Sequence, residues 1–150
     1  MADSYSSLYY HIVFSTKNRE PWIRPDIEER VWSFVGGIAD RHEMTPIKVG
    51  GLDDHLHVVV AIPPTLTVSK AVQMLKGGSS RWIRTTFPEL ETFGWQDGYG
   101  AFTVSKTQVP ATMTYVERQR KRHQQWSFQQ EYRTLLERHG IAFNERYLFD

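Results

Sequence analysis

Residues 50–64 read GGLDDHLHVVVAIPP. His55 and His57 flank a single leucine, and Val58, Val59 and Val60 follow. This β-branched run, closed by Pro63–Pro64, reads as a strand. Successive side chains of a strand point to opposite faces. Leu56, Val58, Val60 and Ile62 therefore share one face, and His55, His57, Val59 and Ala61 share the other. The first face reads as core. The second begins with two imidazoles one pleat apart, about 6.6 to 6.8 Å along the chain. Two such rings can converge on one cation and leave positions open for substrate, as a catalytic metal site requires. Burying them unpaired would cost energy. The pair alone fits a structural role as well as a site, and a metal centre needs a third partner from elsewhere.

Outward from this strand, MTPIKVGGL (residues 44–52) reads as its neighbour, joined through a Gly50–Gly51–Leu52–Asp53–Asp54 connection of turn composition. Upstream, SLYYHIVFSTKN predicts a first strand over about Ser6–Thr16. RPDIEERVWSFVGGIADRHE predicts a helix, with Pro25 and the acids Asp26, Glu28 and Glu29 at its start. Its Gly36–Gly37 pair marks close packing or a kink. A second helix is expected over Val68–Phe87, interrupted by KGGSS at residues 76–80. A strand follows at about Ala101–Ser105. A third helix is expected from Gln108–Pro110 through ATMTYVERQRKRHQQ, and a fourth over SFQQEYRTLLERHG, with Gly140 as its C-cap. The tail IAFNERYLFD carries aromatics that need burial. Strand, helix, strand, strand, helix, strand is a split βαβ order. It predicts an α+β, ferredoxin-like or RRM-like antiparallel sheet with helices packed on one face, plus C-terminal helices. One domain spanning 1–150 suits the length.

The second half of the site pattern lies in TYVERQRKRHQQ. On a helix, i and i+4 share a face, so Tyr115 and Gln119 stand together with Arg122 and Trp126. Val109, Met113 and Val116 cluster on a different side. In isolation Tyr115 fits a half-buried residue of an amphipathic helix. In the functional reading, the Gln119 side-chain oxygen could complete a metal site with His55 and His57, and the same helix face would hold the Tyr115 hydroxyl near the metal as a candidate nucleophile. A phenol is a poor nucleophile at neutral pH, with a free pKa near 10. It needs deprotonation in the site and a phosphate polarised by a divalent ion.

His55-Leu56-His57 followed by valines, and Tyr115 and Gln119 in YVERQ about 60 residues later, resemble the single-tyrosine HUH transposases of bacterial insertion sequences. The likeness extends to their relatives associated with repetitive extragenic palindromes. YYHIVFSTKNRE, LKGGSSRWI, WQDGYGAFTVS and LLERHGIAFNERYLFD carry it over nearly the whole chain. The resemblance implies a single-stranded DNA endonuclease and strand-transferase acting at hairpins. It implies Mg²⁺ or Mn²⁺ on His55, His57 and Gln119, and Tyr115 as the nucleophile. Cleavage leaves a 5′-phosphotyrosine and a free 3′-hydroxyl. It further implies a homodimer in which the tyrosine helix of one subunit can complete the other's site. Imidazole ligands by themselves favour borderline metals such as Zn²⁺.

Composition narrows the rest. The formal charge is +1 and there are no cysteines. Disulfides, thiolate metal sites and cysteine nucleophiles are excluded, and a reducing cytoplasm is suited. No basic n-region precedes a long apolar run, so no signal peptide is expected. No apolar segment approaches membrane-spanning length, so no membrane partner is expected. DNA contacts must come from local clusters. Arg118, Arg120, Lys121, Arg122 and His123 follow the nucleophile, Lys17 and Arg19 end the first strand, and Lys76, Arg81 and Arg84 lie on the second helix. Trp22, Trp82, Trp95 and Trp126 are candidates for stacking on unpaired bases. Taken singly, most of these charges suit a solvated face and most of the tryptophans a core. The competing function is a domesticated or non-catalytic module that binds palindromic single-stranded DNA, with structural histidines. A nucleotide hydrolase of the histidine-triad type is a weaker third, because Val59 stands where a third alternating histidine would be.

Overall fold

The computed structural model describes residues 2–149; Met1 and Asp150, the last residue of the tail, lie outside the described residues. Four strands, β1 (Tyr9–Ser15), β2 (Thr45–Leu52), β3 (His55–Ala61) and β4 (Gly100–Val104), alternate with α1 (Glu28–Arg41) and α2 (Val68–Thr86) in the expected order. The helices α3 (Val109–Glu117), α4 (Gln119–Arg122) and α5 (Phe128–Arg138) follow. The sheet order is β2-β3-β1-β4, and every neighbouring pair is antiparallel. This is the ferredoxin-like arrangement.

The period-2 reading of β3 holds. Leu56, Val58, Val60 and Ile62 pack with Ile12 and Phe14 of β1 against Val31, Val35 and Ile38 of α1 and Val72, Leu75 and Ile83 of α2. The opposite face carries Val13 and Phe102, which pack against Phe128, Leu135 and Leu136 of α5. The C-terminal helices thus cover the second face of the sheet. Phe143, Leu148 and Phe149 of the tail pack there too, whereas Tyr147 is 60% exposed.

Three local readings are corrected. KGGSS does not interrupt α2, which runs unbroken from Val68 to Thr86. A Cβ at Gly78 would lie 3.0 Å from Ile38 Cδ1, so the glycine lets α2 press against α1. Buried Ser79 donates to the Leu75 carbonyl at 2.6 Å and accepts the Trp95 indole N–H at 2.9 Å. Packing therefore outweighs the helix cost of each glycine, about 1 kcal/mol. Likewise Gly36–Gly37 leaves α1 continuous.

Gly50 and Gly51 belong to β2, and the hairpin loop is only Asp53–Asp54. A Cβ at Gly50 would stand 2.8 Å from Val116 Cγ1, and one at Gly51 2.2 Å from the His55 carbonyl oxygen. Gly50 allows α3 to lie directly on the sheet beside His57, its partner in the β2–β3 ladder, and Gly51 lets β2 pass close to the His55 backbone.

The third helix is not continuous. It breaks at Arg118 (φ −94°, ψ 18°), whose N–H is shared between the Thr114 and Tyr115 carbonyls at 3.1 and 3.3 Å. That tightened turn falls between Val116 and Gln119, both buried against the sheet. α5 starts with a capping box of Ser127 and Gln130. It ends at Gly140 (φ +66°), where Gly140 N–H bonds the Glu137 carbonyl and Ile141 N–H the Leu136 carbonyl. This is the Schellman pattern that favours glycine.

Candidate active site

His55 and His57 leave β3 on the face covered by α3 to α5, and both are fully buried. Gln119 is buried beside them, with its Oε1 2.8 Å from His55 Nε2. Tyr115, half-buried, stands edge-on to His57 with ring centroids 5.8 Å apart. The four residues predicted to converge do so within one chain.

The centre of the cluster is a residue that sequence reasoning missed. Glu131, in the first turn of α5, is buried. Its Oε1 lies 3.2 Å from His57 Nε2, 3.4 Å from His55 Nε2 and 3.1 Å from His123 Nε2. Its Oε2 accepts hydrogen bonds from the Tyr115 hydroxyl and, at 3.0 Å, from Gln119 Nε2. One carboxylate thus joins both halves of the site. A signal existed: Glu131 lies on the same stripe as Phe128 and Leu135, an acid on an apolar helix face.

Outer partners hold the rings. His55 Nδ1 lies 2.7 Å from Asp54 Oδ1, so its Nδ1–H donates and its Nε2 faces the cluster. His57 Nδ1 lies 2.7 Å from Nε2 of His11, a buried β1 residue also missed. Phe128 stacks on His55 at 4.6 Å. Burial and the neighbouring His57 keep His11 neutral, with its pKa lowered to about 3. A neutral His11 suits either His57 tautomer: with Nε2–H, His57 donates to Glu131, and with Nδ1–H given to His11, its Nε2 lone pair is free for a cation. Burial also lowers the His57 pKa. For Glu131, burial opposes ionisation, but hydrogen bonds from His123 and His57 outweigh it and hold the carboxyl far below the usual range. Burial, followed by the Glu131 charge and hydrogen bond, raises the Tyr115 phenol.

The donor set fits a divalent ion. His55, His57 and Glu131 each offer a ligand atom, all within 4.8 Å of one another. Gln119 adds an amide oxygen at hydrogen-bond distance from His55.

The predicted DNA contacts are dispersed. Arg122 turns inward, its guanidinium 4.5 Å over the Tyr115 ring and 5.7 Å over Trp126. Its Nε is buried and has no hydrogen-bond partner among the described residues. Arg118 and Lys121 are exposed, while Arg120 pairs with Glu28 at 2.9 Å. Lys76 donates to the Gln96 and Gly98 carbonyls at 2.7 and 2.9 Å, and burial lowers its pKa. Arg19 reaches the Phe149 carbonyl at 3.3 Å, Arg84 the Phe93 carbonyl at 3.2 Å, and Lys17 and Arg81 are exposed. Trp95 is a core residue on Ser79, Trp82 stacks on Phe34 at 4.4 Å, and Trp22 packs on Phe93 at 5.3 Å. Apolar neighbours claimed Trp95 and leave it no face for a base. His123, read with the basic run, points into the cluster instead.

Comparison with known proteins follows the same lines. Residues 4–119 match the family described as "Transposase IS200 like". The ISDra2 transposase TnpA of Deinococcus radiodurans is 25% identical over 117 residues, 75% of this chain and 84% of its own length. The transposase for insertion sequence element IS200 of Salmonella typhimurium is 29% identical over 102 residues, 65% of this chain and 67% of its own. Two solved structures share the fold. A candidate transposase from Deinococcus radiodurans R1 superposes with a TM-score of 0.65 at 22% identity, covering 79% of this chain and 96% of that one. The REP-associated tyrosine transposase bound to a REP hairpin gives 0.58 at 12% identity, covering 82% and 74%.

Proposed function

The chain belongs to the IS200-like transposase family, and from that membership we propose that it cuts and rejoins single-stranded DNA at hairpins through a covalent bond to Tyr115. One observation carries the reading: the Tyr115 hydroxyl shares the Glu131 carboxylate with both histidines and Gln119. A relative seen bound to a REP hairpin supports hairpin DNA as the substrate class.

The chain's own groups divide the work. A cavity of about 470 Å³ reaches Tyr115 and His11, lined also by Thr103, Gln108, Thr112, Arg138 and His139, and gives a strand its approach. The open Arg122 Nε–H beside Tyr115 is a donor for a phosphate oxygen. Glu131 already accepts the phenol hydrogen bond and is placed to take its proton. Tyr115 Oη then bonds to phosphorus as the P–O3′ bond breaks, and the leaving oxygen takes up a proton to become a 3′-hydroxyl. The 5′-phosphotyrosine keeps the ester energy, so a second 3′-hydroxyl can displace Tyr115 without ATP. A divalent cation, Mg²⁺ or Mn²⁺, held by His55, His57 and Gln119 with Glu131, supplies Lewis-acid polarisation of the phosphoryl group.

Residues 1–150 act as one domain in this reading. A homodimer remains the expected assembly, with Tyr115 serving the histidines of its own chain, as the contacts within one chain favour. Of the described helices, none is long and apolar enough to cross a membrane; we place the protein in the cytoplasm with its DNA.

The test uses purified protein, Mn²⁺ or Mg²⁺, and single-stranded hairpin oligonucleotides, among them any imperfect palindromes found beside the gene. A detergent-resistant adduct is expected with the wild type and none with Tyr115→Phe. Equal cleavage by Tyr115→Phe would refute the nucleophile. Metal-independent binding without cleavage would favour the non-catalytic module.

A further inference from the structure

We propose that His11 carries the metal state of the site to the DNA: a cation on His57 Nε2 turns the His11 nitrogen beside Tyr115 from a hydrogen-bond acceptor into a donor for a phosphate oxygen. The inference rests on the metal-dependent, DNA-cutting reading above and adds to it a positioning residue outside the ligand set.

Strand register brings the two rings together. His11 pairs with Val59 across β1 and β3, so His57 is its diagonal neighbour on the same face of the sheet. The rings stack with centroids 5.0 Å apart, and His11 Nε2 lies 2.7 Å from His57 Nδ1. Burial keeps both rings neutral, so one hydrogen lies between those nitrogens. The other His11 nitrogen, Nδ1, has no hydrogen-bond partner among the described residues, yet it is not sealed from solvent. It opens on the cavity of about 470 Å³ that His11 lines together with Tyr115, Gln108 and Thr112. The Tyr115 ring stands edge-on to His11, with centroids 5.9 Å apart.

In a neutral imidazole one nitrogen carries the hydrogen and the other is bare. That rule couples the two ends of the pair. As the rings stand, Glu131 Oε1 lies 3.2 Å from His57 Nε2. An ionised carboxylate can only accept, so His57 Nε2 carries the hydrogen and its Nδ1 is bare. His11 then donates through Nε2 and turns a bare Nδ1 to the cavity. Phosphate oxygens also only accept, so that lone pair repels them. A cation requires the His57 Nε2 lone pair instead. The Nε2 proton then leaves to water, and the shared hydrogen crosses from His11 Nε2 to His57 Nδ1. His11 takes up a proton at Nδ1 from cavity water. Each ring keeps one proton and the pair stays neutral. The new Nδ1–H points into the space through which a strand reaches Tyr115. The coupling runs both ways: a phosphate held by His11 keeps His57 in its metal-binding tautomer.

Long-range ¹H–¹⁵N NMR of DNA-free, ¹⁵N-histidine-labelled wild type reads both tautomers. Zn²⁺ serves as the probe, because it is diamagnetic and suited to imidazole. With chelator present, His57 and His11 should each carry hydrogen on Nε2. Saturation with Zn²⁺ should move it to Nδ1 in both. A His11 ring whose tautomer does not change on saturation would overturn the proposal and leave the metal-dependent reading intact. Failure of the wild type to bind Zn²⁺ or Mg²⁺ would sink both. The second arm is hairpin-DNA affinity at saturating Mg²⁺, measured with Tyr115→Phe so that no strand is cut. Adding His11→Phe should remove at least fivefold of the gain that Mg²⁺ brings, and an equal gain in the two proteins would count against the relay. The NMR arm needs no variant to fold.

Discussion

The two faces of one strand behave as two different materials. On β3, Leu56, Val58 and Val60 meet α1 and α2 through apolar contact alone. His55 and His57, their immediate neighbours in sequence, meet a carboxylate, an amide and a phenol supplied by the C-terminal helices. Burial is equally complete on both sides. The difference lies in what burial accomplishes. On the apolar face it drives folding. On the polar face it strengthens every electrostatic contact and shifts the ionisation of each member. Substitutions on the first face should therefore act on stability, and those on the second on chemistry.

The sharpest break would come at His57. His57→Ala should abolish metal-dependent cleavage while the protein still unfolds cooperatively, measured by strand-cleavage assay and thermal melt. Next, Leu56→Ala on the opposite face should cost about 2–5 kcal/mol of stability. Its cleavage rate per folded molecule should stay near the wild-type value at low temperature. A specific loss of chemistry at Leu56 would erase the distinction between the faces.

Glu131→Leu sharpens the contrast from the polar side. Removing one member of a buried hydrogen-bonded ion cluster leaves its partners unpaired and costs about 3–5 kcal/mol. The melting temperature should fall, and, unlike Leu56→Ala, the folded fraction should lose metal binding and cleavage. Gly50→Ala should cost about 1–3 kcal/mol, because its Cβ would strike Val116 and lift α3 from the sheet. Val116→Ala in the same chain should recover part of the cleavage rate.

The smallest effect is a pH slope. The His11 pKa is about 3 when folded, below its unfolded value of 6.5. The unfolded chain thus binds the extra proton first on acidification, and stability falls as pH drops from about 6.5 towards 3. Metal-free melts should show that slope, and His11→Phe should flatten it. Glu131, also depressed, adds a loss that begins near the unfolded glutamate value, about pH 4.3, and grows below it.

How much of this was readable in the residues follows from distance along the chain. His55, His57, Tyr115 and Gln119 stood out because each pair obeys a local period, two for the strand and four for the helix. Glu131 reaches the cluster only after the chain turns between Arg122 and Ser127, and no local period records that turn; His123 stands one helical turn after Gln119 and was passed over because it closes a basic run. Glycines misled twice for one reason. Gly50 and Gly78 mark places where another element approaches closely, and composition alone reads them as turn or breaker. The break at Arg118 was equally hidden, since TYVERQRKRH is helical by pattern throughout.

The central claim is that Tyr115 becomes covalently joined to DNA. Wild-type protein incubated with Mn²⁺ and a hairpin oligonucleotide, digested by nuclease and protease and analysed by mass spectrometry, tests it most directly. The expected result is a phosphonucleotide on the peptide that contains Tyr115 and on no other. Cleaved DNA with no modified peptide, or modification of a different tyrosine, would contradict it.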